Sequence, residues 1–269
     1  SNGDTFTANA STVTLDATSG TVDVVSGGSA FYDLVLNDGG GSATFELEDA
    51  LDVDHDLTIT GGTLDVKAGE DNAIAIGGDW TNSDTFTAQA GMVTFDDASG
   101  PSIITGANAF HDVTCTTAGK ELDFEAGVTQ TIGGTLDLQG AVSGEILLRS
   151  TSGGTRFTLD VTAGNQQVSY VDVQDSQASS NDIEATTGIN RGNNDDGEAS
   201  PHWIFPITMR YWVGGNGNWS DNTNHWSVSS GGAPGASVPG ASNETVFDSQ
   251  SGGGTATLDV AGSVQKLTF

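Results

Sequence analysis

The chain has 269 residues, and 36 Asp and Glu against 7 Lys and Arg give it a formal net charge of −29 at pH 7. Seven scattered cations cannot neutralise a row of phosphates, which excludes nucleic acid and an anionic membrane surface as partners. Gly occupies 38 positions, and because Gly, Ser, Thr, Asn and Asp all rank low in helix propensity, the composition also argues against a helical protein.

The sequence contains no stretch close to the roughly 18 consecutive apolar residues of a membrane-spanning helix. It opens on Ser1 without the basic and apolar regions of a secretory signal. We expect that a signal has been removed or that the chain is a piece of a longer one. Cys115 is the single cysteine, which excludes an intramolecular disulfide and a cysteine-based metal site and predicts a small buried side chain.

Short runs of alternating apolar and polar residues begin near the start of the chain and are separated by clusters of Gly, Asn, Asp and Ser. No dozen-residue stretch shows the 3.6-residue period of a helix. This pattern predicts an all-β fold, a parallel β-helix or β-solenoid in which each coil adds one inward face to a narrow core. An array of β-sandwiches is the alternative. The clearest runs are residues 12–16, 31–36, 57–59 and 63–66.

An internal repeat of about 80 residues organises the first half of the chain. DTFTA at residues 4–8 returns at 84–88, and FYDL at 31–34 returns as FHDV at 110–113. GGTLDV at residue 61 returns as GGTLDL at residue 133, so the second copy is several residues shorter. Self-similarity at a long period is typical of stacked architectures, in which insertions map to loops.

The chain changes character after Pro206, where Trp, Gly and Asn become frequent. We predict a β-solenoid over residues 1–205 and a small Trp-rich β-module over 206–269. Residue 1 aligns with the interior of a repeat unit, and residues 266–269 resemble a strand without a polar cap. Open solenoid ends expose unpaired edge groups, so we expect a segment of a larger protein or a subunit that stacks end to end. The solenoid divides into copies at 1–80 and 81–140 and diverged coils at 141–205.

Five motifs mark the second half of the chain. They are YVDVQDS at 170–176, GNN at 192–194, WIF at 203–205, YWVGGNGNWSD at 211–221 and HWS at 225–227. Together they resemble a junction found in very large, repetitive, secreted bacterial surface proteins with β-helical modules, in which the first three motifs are similar to the end of one module and the two Trp-rich motifs to the start of the next. The resemblance covers roughly residues 165 to 269. It implies an extracellular, adhesin-like or filament-forming role and supplies no catalytic residues.

An acidic run, DVDHD, begins at Asp52. On a strand, alternation places Asp52, Asp54 and Asp56 on one face, where three carboxylates repel each other unless a cation lies among them. Ca²⁺ takes oxygen ligands, and extracellular modules bind it at about 10⁻⁴ to 10⁻³ M. An EF-hand loop is excluded, because Leu57 and Thr63 stand where it requires Gly and Glu. The alternative is a solvated acidic face.

A second oxygen-rich loop begins at Asn193. Its candidate calcium ligands are Asn193, Asp195 and Asp196, although ordinary turn chemistry explains the same residues. Calcium is the one cofactor that the sequence suggests.

The tryptophans of the last region offer a candidate binding surface. Trp212, Trp219 and Trp226 lie close together among Gly and Asn. Exposed aromatic rings stack on sugars and on other proteins, which predicts contact with a glycan or a neighbouring subunit. The alternative is a small core made of the same three indoles.

An enzymatic role finds little support in the sequence. β-Helical folds host carbohydrate-processing enzymes, and adjacent carboxylates such as Asp96 and Asp97 could serve as acid and base. With 36 acidic residues such pairs arise by chance, and the four His are too far apart in sequence to suggest a zinc site. We therefore expect a protein that is not an enzyme.

Together these patterns predict a secreted structural protein at the cell surface, as an adhesin segment or a filament subunit. Its partners would be copies of itself, joined end to end, or neighbouring modules of a longer chain. Surface glycans are the alternative ligand. The composition predicts neither nucleic-acid binding nor membrane insertion.

Overall fold

The structure is a computed structural model that describes residues 7–240, 243–264 and 266–269. Within these ranges the chain forms strands and turns and no helix, so no helix able to cross a membrane is found there. The chain divides into two compact units, Ser1–Ile204 and Phe205–Phe269. The all-β prediction is confirmed.

The first unit is a three-sided solenoid of parallel strands. Each full coil places one strand on each face in turn, and the strands inside a sheet pair with strands of the coils before and after them. The solenoid prediction is therefore confirmed, and the β-sandwich array is wrong. In the described residues, the first face is a nine-stranded sheet: β1 (Thr12–Asp16), β3 (Asp33–Asn37), β6 (Leu57–Ile59), β9 (Trp80–Asn82), β12 (Ser102–Thr105), β15 (Glu121–Phe124), β18 (Ile146–Ser150), β21 (Val171–Gln174) and β24 (Ile189–Gly192).

The other two faces follow the same parallel order. The second face consists of two four-stranded sheets, built from β2 (Ser19–Val24), β4 (Ser42–Leu47), β7 (Thr63–Asp65) and β10 (Thr85–Thr87), and from β13 (Ala109–Phe110), β16 (Thr129–Ile132), β19 (Phe157–Val161) and β22 (Ser176–Ser179). The third face is an eight-stranded sheet of β5 (Leu51–Val53), β8 (Ile74–Ile76), β11 (Met92–Phe95), β14 (Asp112–Cys115), β17 (Thr135–Gln139), β20 (Asn165–Ser169), β23 (Ile183–Thr186) and β25 (Trp203–Ile204).

The core is a narrow column of inward side chains. On the first face Leu34 pairs with Leu57 and Leu57 with Trp80, and all three are fully buried. Each fully buried side chain of this kind contributes about 1.5 to 3 kcal/mol. Trp80 also packs edge-on against Phe86 and Phe110, with ring centroids 4.9 and 5.3 Å away. The period-two alternation of the sequence is what supplies this column, one inward residue per step.

Aspartates at the corners join successive coils. The Asp56 carboxylate accepts a hydrogen bond from the Asp79 N–H at 2.8 Å, and Asp79 accepts one from the Ile103 N–H at 2.8 Å. Asp112 accepts from the Thr135 N–H at 2.6 Å. These residues lie about one coil apart, 23 residues in the first case. Part of the negative charge therefore supports the stacking of coils, because each carboxylate satisfies a backbone donor that the turn leaves unpaired.

Polar side chains also cross the core in one place. Asn108 accepts hydrogen bonds at 2.9 Å from the Trp80 indole and the Asn82 amide, and it donates to Gln130 at 2.8 Å. All four side chains are buried. Because each buried polar group has a partner, the network costs little while it specifies the alignment of three coils.

Lys120 is fully buried inside the solenoid. Its ammonium donates to the carbonyls of Gly77 at 2.9 Å and Gly100 at 3.2 Å. Desolvation by burial lowers the pKa of this lysine. The side chain fastens two preceding coils from within, a role that nothing in its sequence context indicates.

The sequence repeat and the structural repeat do not coincide. β1 and β3 lie on the first face, whereas their sequence equivalents, β11 and β14, lie on the third face. β7 on the second face corresponds to β17 on the third. The shift of about 80 residues is not a multiple of a coil of roughly 23 residues. Matching side chains of the two copies therefore point to different sides of the solenoid.

The second unit contains a four-stranded and a two-stranded sheet in its described residues. β26 (Thr208–Trp212) pairs antiparallel with β28 (Trp226–Ser227) and parallel with β29 (Asn243–Val246). β29 pairs parallel with β31 (Lys266–Thr268). β27 (Gly217–Asn218) and β30 (Ala256–Thr257) form the two-stranded sheet. The parallel run β26, β29, β31 repeats the strand arrangement of the solenoid on a smaller scale.

One glycine close to the tryptophans in sequence, Gly217, is required by the packing of a histidine ring. The His225 ring stacks on Trp212 with centroids 4.6 Å apart, and its Nδ1 donates to the Val213 carbonyl at 2.9 Å. A Cβ on Gly217 would lie 2.0 Å from His225 Nε2. Glycine is therefore required at this position, because any side chain would displace the histidine.

Candidate functional site

The first coil of the solenoid presents an open edge. β1 and β2 are the outermost strands of their sheets in the described residues. Val13, Leu15 and Val22 point inward yet are only half-buried, whereas Leu36, which pairs with Leu15, is fully buried. An edge that combines unpaired strands with partly exposed apolar residues favours pairing with another strand.

The backbone of β1 shows which residues face that edge. The Asp33 N–H donates to the Ser11 carbonyl and the Ala17 N–H to the Asn37 carbonyl, so the odd-numbered residues of β1 face β3. Alternate residues of a strand direct their N–H and C=O groups to opposite sides in the plane of the sheet. Thr14, in the centre of the strand, therefore directs both groups to the open edge.

At the opposite end of the solenoid, the loop after β24 covers the outer edge of β22 on the second face, while β24 and β25 are the outermost strands of the other two faces in the described residues. Asp195 is buried and accepts hydrogen bonds from the N–H groups of Ala178 at 2.9 Å and Trp203 at 2.8 Å. Asn194 is also buried and accepts from the Ser176 N–H at 3.0 Å. These side chains occupy backbone donors that another coil would otherwise pair, as terminal caps of repeat proteins do.

Arg156 holds this loop in place. Its guanidinium donates to the carbonyls of Asn193 and Asn194, both at 2.7 Å, and to the Glu198 carboxylate at 2.8 Å. Three bonds from one planar group fix the path of the backbone as a single lysine could not. The capped end is thus built from polar contacts within one chain.

A second open edge lies in the second unit. β31 is the outermost strand of its mixed sheet in the described residues and pairs parallel with β29. The Phe247 N–H donates to the Thr268 carbonyl at 2.8 Å, so Leu267 directs its own backbone groups away from β29. Leu267 is 47% exposed and Phe269 is 88% exposed. This edge combines apolar side chains with free strand positions, as β1 does.

The acidic run does not continue along one strand. β5 ends at Val53, and the chain turns a corner at Asp54 and His55 before β6 begins. The expectation that Asp52, Asp54 and Asp56 share a strand face is therefore wrong, because the period of two applies only within a strand. Asp56 lies past the corner, on the first face.

Beyond the corner, Asp56 lies close to His55 and Asp33, which the sequence did not group with it as candidate ligands. His55 Nδ1 lies 2.8 Å from Asp33 Oδ1 and 3.3 Å from Asp56 Oδ2. The hydrogen bond to Asp33 raises the pKa of His55. Burial favours the neutral form of Asp33, but hydrogen bonds from His55 and Thr12 outweigh it and leave the pKa of Asp33 lowered. The coil length of 23 residues separates Asp33 from Asp56, and this spacing is the signal that could have joined them.

A further acidic group on the second face contains its own cation. Asp23, Glu46 and Glu48 place oxygen atoms within 4.8 Å of one another. The Lys67 ammonium bonds Glu48 and also lies 3.0 Å from Glu70. The lysine offsets the repulsion that a row of carboxylates would otherwise produce.

The pKa values of the carboxylates around Asp97 shift in different directions. Burial, together with the charges of Asp54 and Asp96, raises the pKa of Asp52. Burial also raises the pKa of Asp96, whereas hydrogen bonds from Ser99 lower that of Asp97. The Asp97 carboxylate accepts from the Ser99 N–H and hydroxyl, both at 2.8 Å. It is thus the cap of its own turn.

The second predicted calcium loop has its ligands engaged elsewhere. The Asn193 amide donates to Asp175 at 2.7 Å, and both oxygens of Asp195 accept backbone N–H groups. Asp196 is exposed. The structure therefore places the side chains of Asn193 and Asp195 in hydrogen bonds of the end loop.

The three tryptophans form a small core. Trp212, Trp219 and Trp226 are 2%, 8% and 0% exposed. Trp226 contacts the other two edge-on, with centroids 5.0 and 4.8 Å away. A stacking platform for sugars needs an exposed ring face, which these indoles do not offer. Trp212 and Trp219 also border a cavity of about 680 Å³, which Leu267 and Phe269 line as well.

Comparison with known proteins assigns no family to the chain. No family model, no curated protein and no solved structure matches it. The functional argument therefore depends on the strand edges, the end cap and the side chains described above.

Proposed function

We propose that the chain is an extracellular structural protein, an adhesin segment or a filament subunit, that assembles end to end with copies of itself. The observation that carries the proposal is the open edge of β1 and β2, with Val13, Leu15 and Val22 only half-buried. The solenoid exposes few apolar groups along its sides, and a net charge of −29 keeps such sides apart. Association at the strand edges is the mode that this distribution favours.

The partner of the β1 edge is the β31 edge of another copy. Both edge strands pair parallel with their inner neighbours, β1 with β3 and β31 with β29. β1 is the first strand of its sheet in chain order, and β31 is the last strand of its own. Joining them continues a parallel stack with the same polarity. Such a contact uses two different surfaces, so it forms open chains of subunits when the rotation between copies does not close a ring. Apolar side chains of both edges, Leu15 and Leu267 among them, would leave water.

Proline at the two edge positions tests the assignment. Thr14→Pro and Leu267→Pro each remove an N–H that faces an open edge while keeping the bonds within the chain, and edge strands accept proline. We expect the natural chain to form filaments that lengthen with protein concentration and with salt, which screens the like charges. Each proline variant alone should remain monomeric in sedimentation velocity and electron microscopy. Thr14→Ala and Leu267→Ala are the matched controls.

Mixing the two proline variants gives the sharpest result. Each variant keeps one intact edge, so an equimolar mixture should stop at dimers. Filaments from Thr14→Pro alone, or a natural chain that stays monomeric across concentration and salt, would contradict the proposal. Circular dichroism of each variant shows whether the solenoid is still folded.

A further inference from the structure

The corner that joins the second and third coils brings three metal-binding atoms together. Asp33 Oδ1, His55 Nδ1 and Asp56 Oδ2 lie within 4.8 Å of one another. The imidazole nitrogen is 2.8 Å from the first oxygen and 3.3 Å from the second. Neighbouring ligands of a zinc ion, each about 2.0 to 2.2 Å from the metal, lie roughly 3 to 3.5 Å apart. The separation of His55 Nδ1 from Asp56 Oδ2 matches this spacing, and the shorter one to Asp33 Oδ1 is a hydrogen bond whose proton the ion would replace.

Residues outside the group hold these atoms in position. The second oxygen of Asp33 accepts from the Thr12 hydroxyl at 3.0 Å, and the second oxygen of Asp56 accepts from the Asp79 N–H at 2.8 Å. The Tyr32 ring stacks on the imidazole with centroids 4.8 Å apart and an angle of 11°. Each ligand is thus oriented by a separate contact, as in metal sites whose supporting residues fix the ligand geometry.

The group borders open space with a strongly negative lining. His55 and Asp56 line a cavity of about 360 Å³, together with Asp54, Asp79 and Asp97. The cavity leaves room for water molecules to complete the coordination of an ion. The surrounding carboxylates favour a divalent cation over an anion.

The presence of imidazole decides the class of metal. Ca²⁺ and Mg²⁺ are bound by oxygen, whereas a histidine with two carboxylates suits zinc and similar transition metals. We propose that Asp33, His55 and Asp56 bind one Zn²⁺ or a similar divalent transition-metal ion. The site joins β3 to the start of β6, so the ion would clamp two successive coils. The assignment is independent of end-to-end assembly.

The second copy of the repeat supplies a natural control. His111 and Asp112 stand where the first copy has Tyr32 and Asp33, and their Nδ1 and Oδ1 atoms lie 3.2 Å apart. One coil later, the Gly134 N–H donates to the His111 carbonyl at 2.8 Å, as the His55 N–H donates to the Tyr32 carbonyl at 3.0 Å, so a glycine takes the structural position of His55. This pair has an imidazole beside a carboxylate but is not among the three-donor groups of the described residues.

Isothermal titration of the full chain with ZnCl₂ at a fixed pH of 7.5 tests the site. We expect one Zn²⁺ per chain, at least tenfold weaker binding in His55→Gln and Asp33→Asn, and unchanged binding in His111→Gln. Co²⁺ should give a visible absorption band that the first two variants lose. In the natural chain, NMR should show the ring signals of one histidine shifting on addition of zinc, which needs no variant.

Three outcomes would overturn the assignment. They are the absence of zinc binding, zinc binding of equal strength in His55→Gln, and displacement of zinc by millimolar Ca²⁺, which would show that the acidic surface alone attracts cations. Thermal melts without metal establish that His55→Gln and His111→Gln remain folded to the same degree.

Discussion

At the β1 edge, Leu15 is half-buried and the backbone of Thr14 faces outward, whereas beyond β22 the side chains of Asn194 and Asp195 accept the outward N–H groups of Ser176 and Ala178. Within the residues that the structure describes, the outer edge is thus open at β1 and covered by polar side chains at β22. The difference teaches that the local sequence decides whether a strand edge is open, because a side chain that bonds the edge groups removes the donors that a further strand would pair.

The largest expected effect is a difference in stability between two core positions of the first face. Leu36→Ala removes a fully buried side chain one coil inside the edge, and we expect it to lower the free energy of unfolding by about 2 to 5 kcal/mol. Leu15→Ala, its strand partner at the edge, should cost about 1 kcal/mol in the monomer, since half of that side chain is already in water. Urea unfolding of both variants measures the contrast. Equal costs would show that the β1 edge is covered in solution.

The next contrast concerns the cap. Asp195→Ala leaves the N–H groups of Ala178 and Trp203 buried without an acceptor, and each such loss costs about 1 to 3 kcal/mol. Asp196→Ala is the control, because that neighbour is exposed, and it should change stability by less than about 0.5 kcal/mol. Hydrogen exchange should locate the loosening in β22 to β25. A stable Asp195→Ala chain would remove the distinction between the two ends.

The smallest expected effect is on how the stability contributed by the end loop depends on pH. Hydrogen bonds from the Ser200 hydroxyl and the His202 N–H lower the pKa of Asp182. A carboxylate with a lowered folded-state pKa stabilises the fold above its ordinary value of 3.8, and this contribution is lost as the pH falls through the folded value. The melting temperatures of the natural chain and Asp182→Asn should therefore converge on acidification. Asp16→Asn, at the open edge, controls for the loss of one negative charge. A constant gap at all pH values would contradict the assignment.

Local patterns predicted much of the strand content. The runs at residues 12–16 and 57–59 coincide with β1 and β6, and alternation correctly separated inward from outward side chains there. Alternation failed at Asp54, where the strand ends, because a corner resets the relation between position and face. The repeat was equally misleading about the face on which a strand lies, since equivalent residues of the two copies occupy different faces of the solenoid.

The site residues show the same limit. The sequence alone identified Asp56 as acidic and close to a histidine, but it could not place Asp33 beside them. That neighbourhood depends on the length of a coil, which is established by hydrogen bonds between strands about 23 residues apart. Trp212 and its neighbours were equally conspicuous in the sequence, and only packing showed that their rings form a core.

What the sequence by itself determined is the all-β class, the thin alternating core, the strongly negative surface and the change of character near Pro206. These follow from properties of single residues and their immediate neighbours. What only the tertiary structure decided is the three-sided winding, the rotation of the repeat, the cap at Asp195 and the meeting of Asp33 with His55. These depend on contacts between coils, where the free energy of stacking, not the local pattern, selects which side chains become neighbours.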